Sequence, residues 1–164
     1  MPHDHSAFAP HDHDACAVGA MAMAEDRVAL TGQRLTPVRR QTLQILLASP
    51  RALGAYEVLE RLVALGFANQ PPVAYRALEF LEQQGLVHRI RRLNAFTACM
   101  HMGEAHAPAF LICRACHAVA EAPAVEVAIA LQAAAAGLGF VVERSTVEAL
   151  GLCPACHGTP QAVA

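Results

Sequence analysis

Two cysteine pairs constrain the fold of this 164-residue chain more strongly than any other part of its sequence. The pairs are Cys113 with Cys116 and Cys153 with Cys156, and each has two residues between its members. This spacing lets both sulfurs of a pair reach one ion from a tight turn, and two such pairs complete the tetrahedral four-thiolate site of structural zinc. One pair alone would be equally typical of a thioredoxin-like redox site. The two pairs therefore predict one structural zinc ion, with a whole structural element between them. Disulfides or four unrelated thiols are the alternative, but nothing in the sequence indicates an oxidising compartment.

Charge is distributed unevenly along the chain, although the formal net charge is only -2. Residues 1–26 hold five acidic and no basic residues, and residues 27–92 hold ten arginines against four glutamates. Residues 93–164 hold two arginines against five glutamates. A basic middle third between acidic flanks indicates that one domain contacts an anionic partner.

The two ends of the chain carry little structural signal. Residues 1–20 are expected to be a disordered tail, whose His-Asp repeats either bind metal weakly or are merely solvated. We assign no role to Cys16. The first residues lack a basic segment followed by an apolar one, and the most apolar window, residues 125–142, is interrupted by polar residues and glycines. We therefore expect a cytoplasmic protein without membrane contact.

Residues 21–100 have the pattern of a DNA-binding domain. A short helix over 21–30 precedes three helices with apolar stripes, predicted over 36–48, 55–65 and 73–84. Strands over 86–92 and 95–99 form a hairpin. The third helix places Tyr75, Arg76, Glu79 and Gln83 opposite its apolar stripe. Three helices and a hairpin with arginines on both the third helix and the hairpin predict a winged helix-turn-helix.

A second, smaller domain is predicted over residues 109–157, after a hinge loop over 101–108 and before a tail over 158–164. It contains strands over 109–113, 118–121 and 140–150 and a helix over 125–136. That helix is apolar nearly all round, with polar groups only at Glu126 and Gln132, so it must be covered on most sides. Because a chain this short cannot cover it, we expect a symmetric homodimer. The predicted fold class is α/β (α+β): an N-terminal winged helix-turn-helix followed by a small α/β dimerisation domain.

Five motifs are RLTPVR at 34–39, PPVAYRAL at 71–78, GLVH at 85–88, CRAC at 113–116 and GLCPAC at 151–156. Together they resemble the ferric uptake regulator superfamily, and most closely its zinc uptake regulators. The resemblance covers roughly residues 25–157. It implies a dimeric, metal-responsive transcriptional repressor that binds an inverted-repeat operator in double-stranded DNA.

The resemblance also implies a regulatory zinc site between the two domains, so that each subunit binds one structural and one regulatory zinc ion. The loop before His106 is one residue shorter than in relatives, which makes His101 a substitute candidate. His117 and His157, beside the cysteine pairs, are more typical of surface residues than of a further site. The positions that match the regulatory ligands are His88, Cys99, His106 and Glu121.

For DNA contact, the resemblance places Tyr75 and Arg76 on the recognition helix, with Tyr56 and Arg39 close to the DNA backbone. The family usually has threonine and valine before the Tyr-Arg pair, whereas this chain has Val73 and Ala74. One hydroxyl that could cap the helix or contact a phosphate is therefore lost.

Three alternative functions stay open at this point. The first is a sensor of iron, manganese or peroxide in the same superfamily, but Cys99 argues against it because those ions prefer nitrogen and oxygen ligands. The second is a redox enzyme, which leaves the basic helical domain unexplained. The third is a constitutive DNA-binding protein whose zinc is only structural. The sequence shows no Ser-His-Asp set, phosphate loop or carboxylate pair, so we expect neither an enzyme nor a small organic substrate.

Overall fold

The structure, a computed structural model, describes Phe8 and residues 13–67, 69–102 and 108–158, with the backbone alone at 13–16. Four helices and three short strands form an N-terminal unit, and three strands and two helices form a C-terminal unit. The N-terminal elements are α1 (His13–Leu30), α2 (Pro37–Leu47), β1 (Leu53–Gly54), α3 (Ala55–Ala64), α4 (Pro71–Gln83), β2 (Val87–Ile90) and β3 (Ala95–Ala98). The C-terminal elements are β4 (Pro108–Cys113), β5 (Val119–Pro123), α5 (Val125–Ala136), β6 (Val147–Gly151) and α6 (Pro154–His157).

The N-terminal unit has the predicted three helices followed by a hairpin. Strands β2 and β3 pair antiparallel, and β1, which the sequence did not predict, pairs with the other edge of β3. One core holds these elements together, and α2, α3 and α4 contribute side chains to it that are fully buried. Among them are Leu43, Leu46, Val58, Leu62, Leu78 and Leu81. The expected winged-helix architecture is therefore confirmed.

Helix α1 begins at His13, eight residues before the predicted start at Met21. The expectation of a disordered tail over 1–20 is thus wrong for residues 13–20. Ala20, Ala24 and Val28 recur every four residues on one face of α1 and are buried in the main core. Because this face packs against the other helices from Ala17 onward, tertiary contacts rather than a local start signal extend α1 beyond its predicted start.

Helix α1 also contacts the end of α4. The Nε of Arg27 donates a hydrogen bond of 2.7 Å to the carbonyl of Gln84, directly after α4. A cation at a helix C-terminus interacts favourably with the last carbonyls and with the helix dipole. Gly85 follows with φ +68°, a left-handed conformation that ends the helix and turns the chain into β2. The first helix thereby helps to position the helix that carries Tyr75 and Arg76.

The C-terminal unit is built on a sheet with the strand order β5-β4-β6. Strand β5 is antiparallel to β4, and β6 is parallel to it, with α5 in the connection. The strand predicted over 140–150 begins only at Val147. Phe140 and Val141, in the part that was predicted wrongly, are 66% and 80% exposed. Their apolar character thus does not reflect burial within one chain.

Helix α5 has the predicted bounds and exposes apolar side chains. Val125 is 55% exposed, and Ile129 is 61% exposed. The apolar surface of α5, which the sequence predicts to be buried, is therefore solvent-exposed in the described part of a single chain. None of the helices in the described ranges has the length and apolar composition needed to cross a membrane.

A small apolar cluster joins the two units. Ala52, Ile90 and Ala95 of the N-terminal unit pack against the C-terminal sheet, which contributes Phe110, Ile112 and Val119. A β-bridge between Arg51 and Ala118 lies beside this cluster. The β2–β3 hairpin is therefore seated on the C-terminal sheet.

Candidate metal centres and nucleic-acid interface

The sheet topology brings the two cysteine pairs together. Cys113 is the last residue of β4 and pairs with Gly151 at the end of β6. Because β4 and β6 are parallel, the turns that follow them lie at the same end of the sheet. The four Sγ atoms of Cys113, Cys116, Cys153 and Cys156 all lie within 4.8 Å of one another.

The spacing of the sulfurs fits a metal ion better than disulfide bonds. The sulfurs of Cys116 and Cys153 are 3.7 Å apart. Four zinc–sulfur bonds of about 2.3 Å in a tetrahedron place neighbouring sulfurs about 3.8 Å apart, whereas a disulfide needs about 2.05 Å. The structure accordingly has these four cysteines as free thiols. The arrangement suits one tetrahedral dication.

Backbone amides around the cluster favour thiolate charge. The N–H groups of Cys153, Cys116 and Ala115 point at the sulfur of Cys113 and lower the pKa of its thiol to about 6, although burial opposes this shift. The pKa of Cys156 is raised to about 12, because its thiol shares hydrogen bonds with the sulfurs of Cys153 and Cys116. Amide donors of this kind stabilise the net negative charge that four thiolates leave around a dication.

A second cluster lies between the two units. His88 lies on β2, Cys99 follows β3, and Glu121 lies on β5, and their donor atoms are within 4.8 Å of one another. The Nε2 of His88 is 3.7 Å from an oxygen of Glu121, whose side chain is only 5% exposed. Cys99 is fully buried. One thiolate and one carboxylate together balance the charge of a dication, so an ion bound here leaves no net buried charge.

The fourth predicted ligand of this cluster, His106, lies outside the described residues. The alternative, His101, is close to the cluster, with its Nδ1 3.3 Å from Oε1 of Glu121. The other oxygen of Glu121 accepts a hydrogen bond of 3.1 Å from the backbone N–H of Met100. His117 and His157 are exposed, and neither belongs to the two donor clusters found among the described residues.

Three of the four candidate DNA-contacting side chains are exposed on α3 and α4 of the N-terminal unit. Tyr75 and Arg76 are exposed on α4, as the sequence predicts, and Tyr56 is 63% exposed on α3. The rings of Tyr56 and Tyr75 meet edge to face with centroids 6.4 Å apart. Ala74 is buried, so the position at which the family usually has valine packs into the core.

Arg39, the fourth predicted DNA contact, has a guanidinium that contacts two groups within the chain. It stacks 3.4 Å from the ring centre of Phe80 on α4, and its Nη1 donates to the carbonyl of Arg34 at 3.3 Å. A guanidinium stacked on an aromatic ring still presents N–H groups at its edge. Arg39 therefore braces α2 against α4 in addition to any contact with a phosphate.

Sequence analysis missed Phe110, which links the interdomain cluster to the apolar cluster. Its ring centre lies 5.2 Å from that of His88, and the side chain is 2% exposed. Every residue of β4 is apolar, so its sequence does not indicate which partner covers Phe110. Only the docking of the hairpin on the sheet shows that the partner is a candidate metal ligand.

Comparison with known proteins gives a consistent result. The sequence model of the ferric uptake regulator family matches residues 30–149. The zinc uptake regulation protein of Escherichia coli (strain K12) is 36% identical over 137 residues, which cover 83% of this chain and 80% of that protein. A solved structure of a zinc uptake regulator complexed with zinc and DNA is 36% identical with a TM-score of 0.80, and covers 86% of this chain and 95% of its own.

The holo and apo forms of a further relative, XcZur, differ in their structural similarity to this chain. The crystal structure of holo XcZur is 37% identical with a TM-score of 0.79, and covers 87% of this chain and 99% of its own. The apo form of the same protein, at 37% identity and with 88% and 99% covered, has a TM-score of only 0.51. The fold, the two donor clusters and the family match agree with one another, and the chain belongs to the ferric uptake regulator family.

Proposed function

We propose that this chain is a zinc-responsive transcriptional repressor, which binds an inverted-repeat operator as a zinc-loaded homodimer and controls genes of zinc uptake and homeostasis in the cytoplasm. The observation that carries the proposal is the cluster of His88, Cys99 and Glu121. Its first two members belong to the DNA-binding unit and its third to the C-terminal unit. One dication bound by all three holds the hairpin of one unit against the sheet of the other.

Several findings support zinc as the regulating ion. A buried thiol in the donor set favours zinc over iron or manganese, which prefer nitrogen and oxygen ligands. Relatives at 36% identity are named zinc uptake regulators, and one of them is described in complex with zinc and DNA. The chain as a whole also superposes better on the holo form of XcZur than on the apo form, with TM-scores of 0.79 and 0.51.

The response of DNA binding to zinc follows from the geometry of this cluster between the two units. A dimer binds an inverted repeat well only when its two recognition helices are held about 34–36 Å apart. An ion bound between the two units favours one arrangement of them. It therefore raises operator affinity, because more molecules occupy the arrangement that fits the operator. Tyr56, Tyr75 and Arg76 are proposed to contact DNA, and Arg39 both to brace α4 and to contact the backbone.

We further propose two zinc ions per subunit. The four-cysteine site holds the structural ion and stabilises the C-terminal unit, and the interdomain cluster holds the regulatory ion. His106 is proposed as the fourth regulatory ligand from the family resemblance, and the proximity of His101 to Glu121 supports His101 as its alternative. Zinc content of His101→Ala and His106→Ala decides between the two histidines.

The test compares Cys99→Ser and His88→Ala with the unaltered chain in zinc content and in operator affinity over buffered free zinc. The probe is an inverted-repeat DNA selected by the zinc-loaded chain from a random pool, with iron(II) and manganese(II) as competing ions. Zinc is expected to raise the operator affinity of the unaltered chain roughly 5- to 150-fold, the usual range of coupling between two sites. Both variants should keep one zinc and the dimer but lose this gain.

His157→Ala is the matched control, because His157 is an exposed histidine that belongs to neither donor cluster found among the described residues. It should respond to zinc as the unaltered chain does. An unaltered chain with one zinc per subunit and a zinc-independent operator affinity would instead identify a constitutive DNA-binding protein. A stronger response to iron or manganese would identify a different metal sensor.

A further inference from the structure

The carboxylate of Glu148 binds the turn of the β2–β3 hairpin. The backbone N–H groups of Arg91 and Arg92 donate to its two oxygens at 2.7 Å and 3.0 Å. Two consecutive amides that converge on one carboxylate form an anion-binding nest, and each hydrogen bond is strengthened by the charge. Glu148 lies on β6 of the C-terminal unit, so this contact joins the two units without a metal ion.

Strand register places Glu148 in one row with the regulatory cluster. Phe110 on β4 pairs with Glu121 of β5 on one side and with Glu148 of β6 on the other. Directly paired residues point to the same face of a sheet. The row of Glu121, Phe110 and Glu148 therefore faces the DNA-binding unit. Its members contact the N–H of Met100, the ring of His88 and the hairpin turn, respectively.

The two carboxylates hold opposite ends of the same hairpin. Glu121 lies beside Met100, after the end of β3, whereas Glu148 lies at the turn between β2 and β3. The outer strands of a three-stranded sheet are about 9–10 Å apart. A second contact at this separation opposes rotation of the hairpin about the first. Together with the apolar cluster between the units, Glu148 thus restricts rotation about an ion at Glu121.

We propose that Glu148 is a positioning residue, which stabilises the closed arrangement, in which the hairpin is seated on the C-terminal sheet, and thereby raises the affinity for regulatory zinc and for operator DNA. The inference rests on the proposed function. Glu148 accepts hydrogen bonds from backbone groups of the hairpin, and because these bonds join the two units they exist only in the closed arrangement. Any contact made only in one arrangement raises the affinity of every ligand that binds that arrangement.

The sign of the effect distinguishes this role from simple electrostatics. Arg89, Arg91 and Arg92 make the hairpin basic, and removal of a nearby negative charge strengthens the general attraction of a protein for DNA. Loss of a positioning contact weakens operator binding instead. A neutral variant of Glu148 should therefore change operator affinity in the opposite direction from a neutral variant of an unrelated surface glutamate.

The experiment uses the full-length chain with Glu148→Gln, which keeps the size of the side chain, and with Glu143→Gln as a charge-matched control on the exposed segment before β6. Regulatory zinc affinity is measured by competition with a chromophoric chelator, and amide exchange is followed at Arg91 and Arg92. Glu148→Gln should bind regulatory zinc about tenfold more weakly, because fewer molecules occupy the closed arrangement. It should also exchange both amides faster and bind operator more weakly at subsaturating zinc.

Equal zinc affinity and equal amide exchange in the two variants would overturn the proposal. A measurement on the unaltered chain tests it independently of any variant's folding: zinc should slow exchange at Arg91 and Arg92, because both amides are bonded only in the closed arrangement. Unchanged exchange on zinc addition refutes the role of Glu148. If operator binding of the unaltered chain ignores zinc while zinc still slows exchange, the proposed function fails and the positioning contact stands.

Discussion

Replacement of Cys153 by serine should unfold the C-terminal unit while leaving the N-terminal unit folded. Cys153 is 6% exposed, and its sulfur lies 3.7 Å from that of Cys116. A serine hydroxyl stays protonated at neutral pH and is a poor zinc ligand, so the variant loses the charge and geometry of the four-thiolate site.

The loss of stability expected in Cys153→Ser is large relative to the apolar burial within the C-terminal unit. Residues 108–158, all of which the structure describes, bury three large apolar side chains, Phe110, Ile112 and Val119. Each contributes about 1.5–3 kcal/mol, or roughly 5–9 kcal/mol together. A structural zinc ion contributes about 10–16 kcal/mol of apparent binding free energy. Loss of the ion therefore removes more stabilisation than these three side chains provide within one chain.

The assay combines zinc content, molar mass by light scattering and amide exchange. The variant should lose the structural zinc, the dimer and protection in β4–β6, while α2–α4 stay protected because they have their own core. Cys99→Ser is the control, since it should keep the four-cysteine zinc, the dimer and all of this protection. A zinc-free Cys153→Ser dimer with protected β4–β6 amides would refute the reasoning.

Two further predictions concern DNA and the dimer. If Arg76 contacts a base, Arg76→Ala should cost about 1–3 kcal/mol of operator affinity and relax specificity at one position per half-site. The control Arg144→Ala removes the same charge from an exposed position in the other unit and should leave the specificity unchanged. A uniform loss of affinity on all sequences, with a smaller salt dependence, would assign Arg76 to a phosphate. Ile129→Glu introduces a charge on the exposed apolar surface of α5 and should give a monomer by light scattering. Gln132→Glu, at a polar position of the same helix, is the control and should stay a dimer. A dimer of unchanged stability in Ile129→Glu would place the interface elsewhere.

Local sequence patterns determined most of the secondary structure and the four-cysteine donor set, whereas the regulatory donor set was implied by the resemblance to the family. Helical periodicity predicted α2–α5 within two residues at each end, because these segments combine an apolar stripe with Pro or Gly at their limits. The spacing of the cysteines predicted which four thiols come together. Such features depend on residues close in sequence, and a tight turn or a helical face is already specified at that range.

The long-range arrangement required the tertiary structure. The irregular segment at 140–146 departs from local expectation, and its Phe140 and Val141 are exposed. The start of α1 at His13 also departs from it, because packing against distant elements favours the longer helix. The same holds for Arg39, whose partner Phe80 lies on another helix. Family motifs pointed to Glu121, but no motif pointed to Glu148.

The row of Glu121, Phe110 and Glu148 exists because β6 runs parallel to β4 in one particular register. A slip of one residue would turn Glu148 to the other face of the sheet, and the sequence of β6 alone does not specify its partner strand. Composition and spacing therefore determined that the chain carries a four-thiolate cluster and a basic helical domain. Only the folded chain decided how the two units meet, since that contact is the sum of strand pairings between residues far apart in sequence.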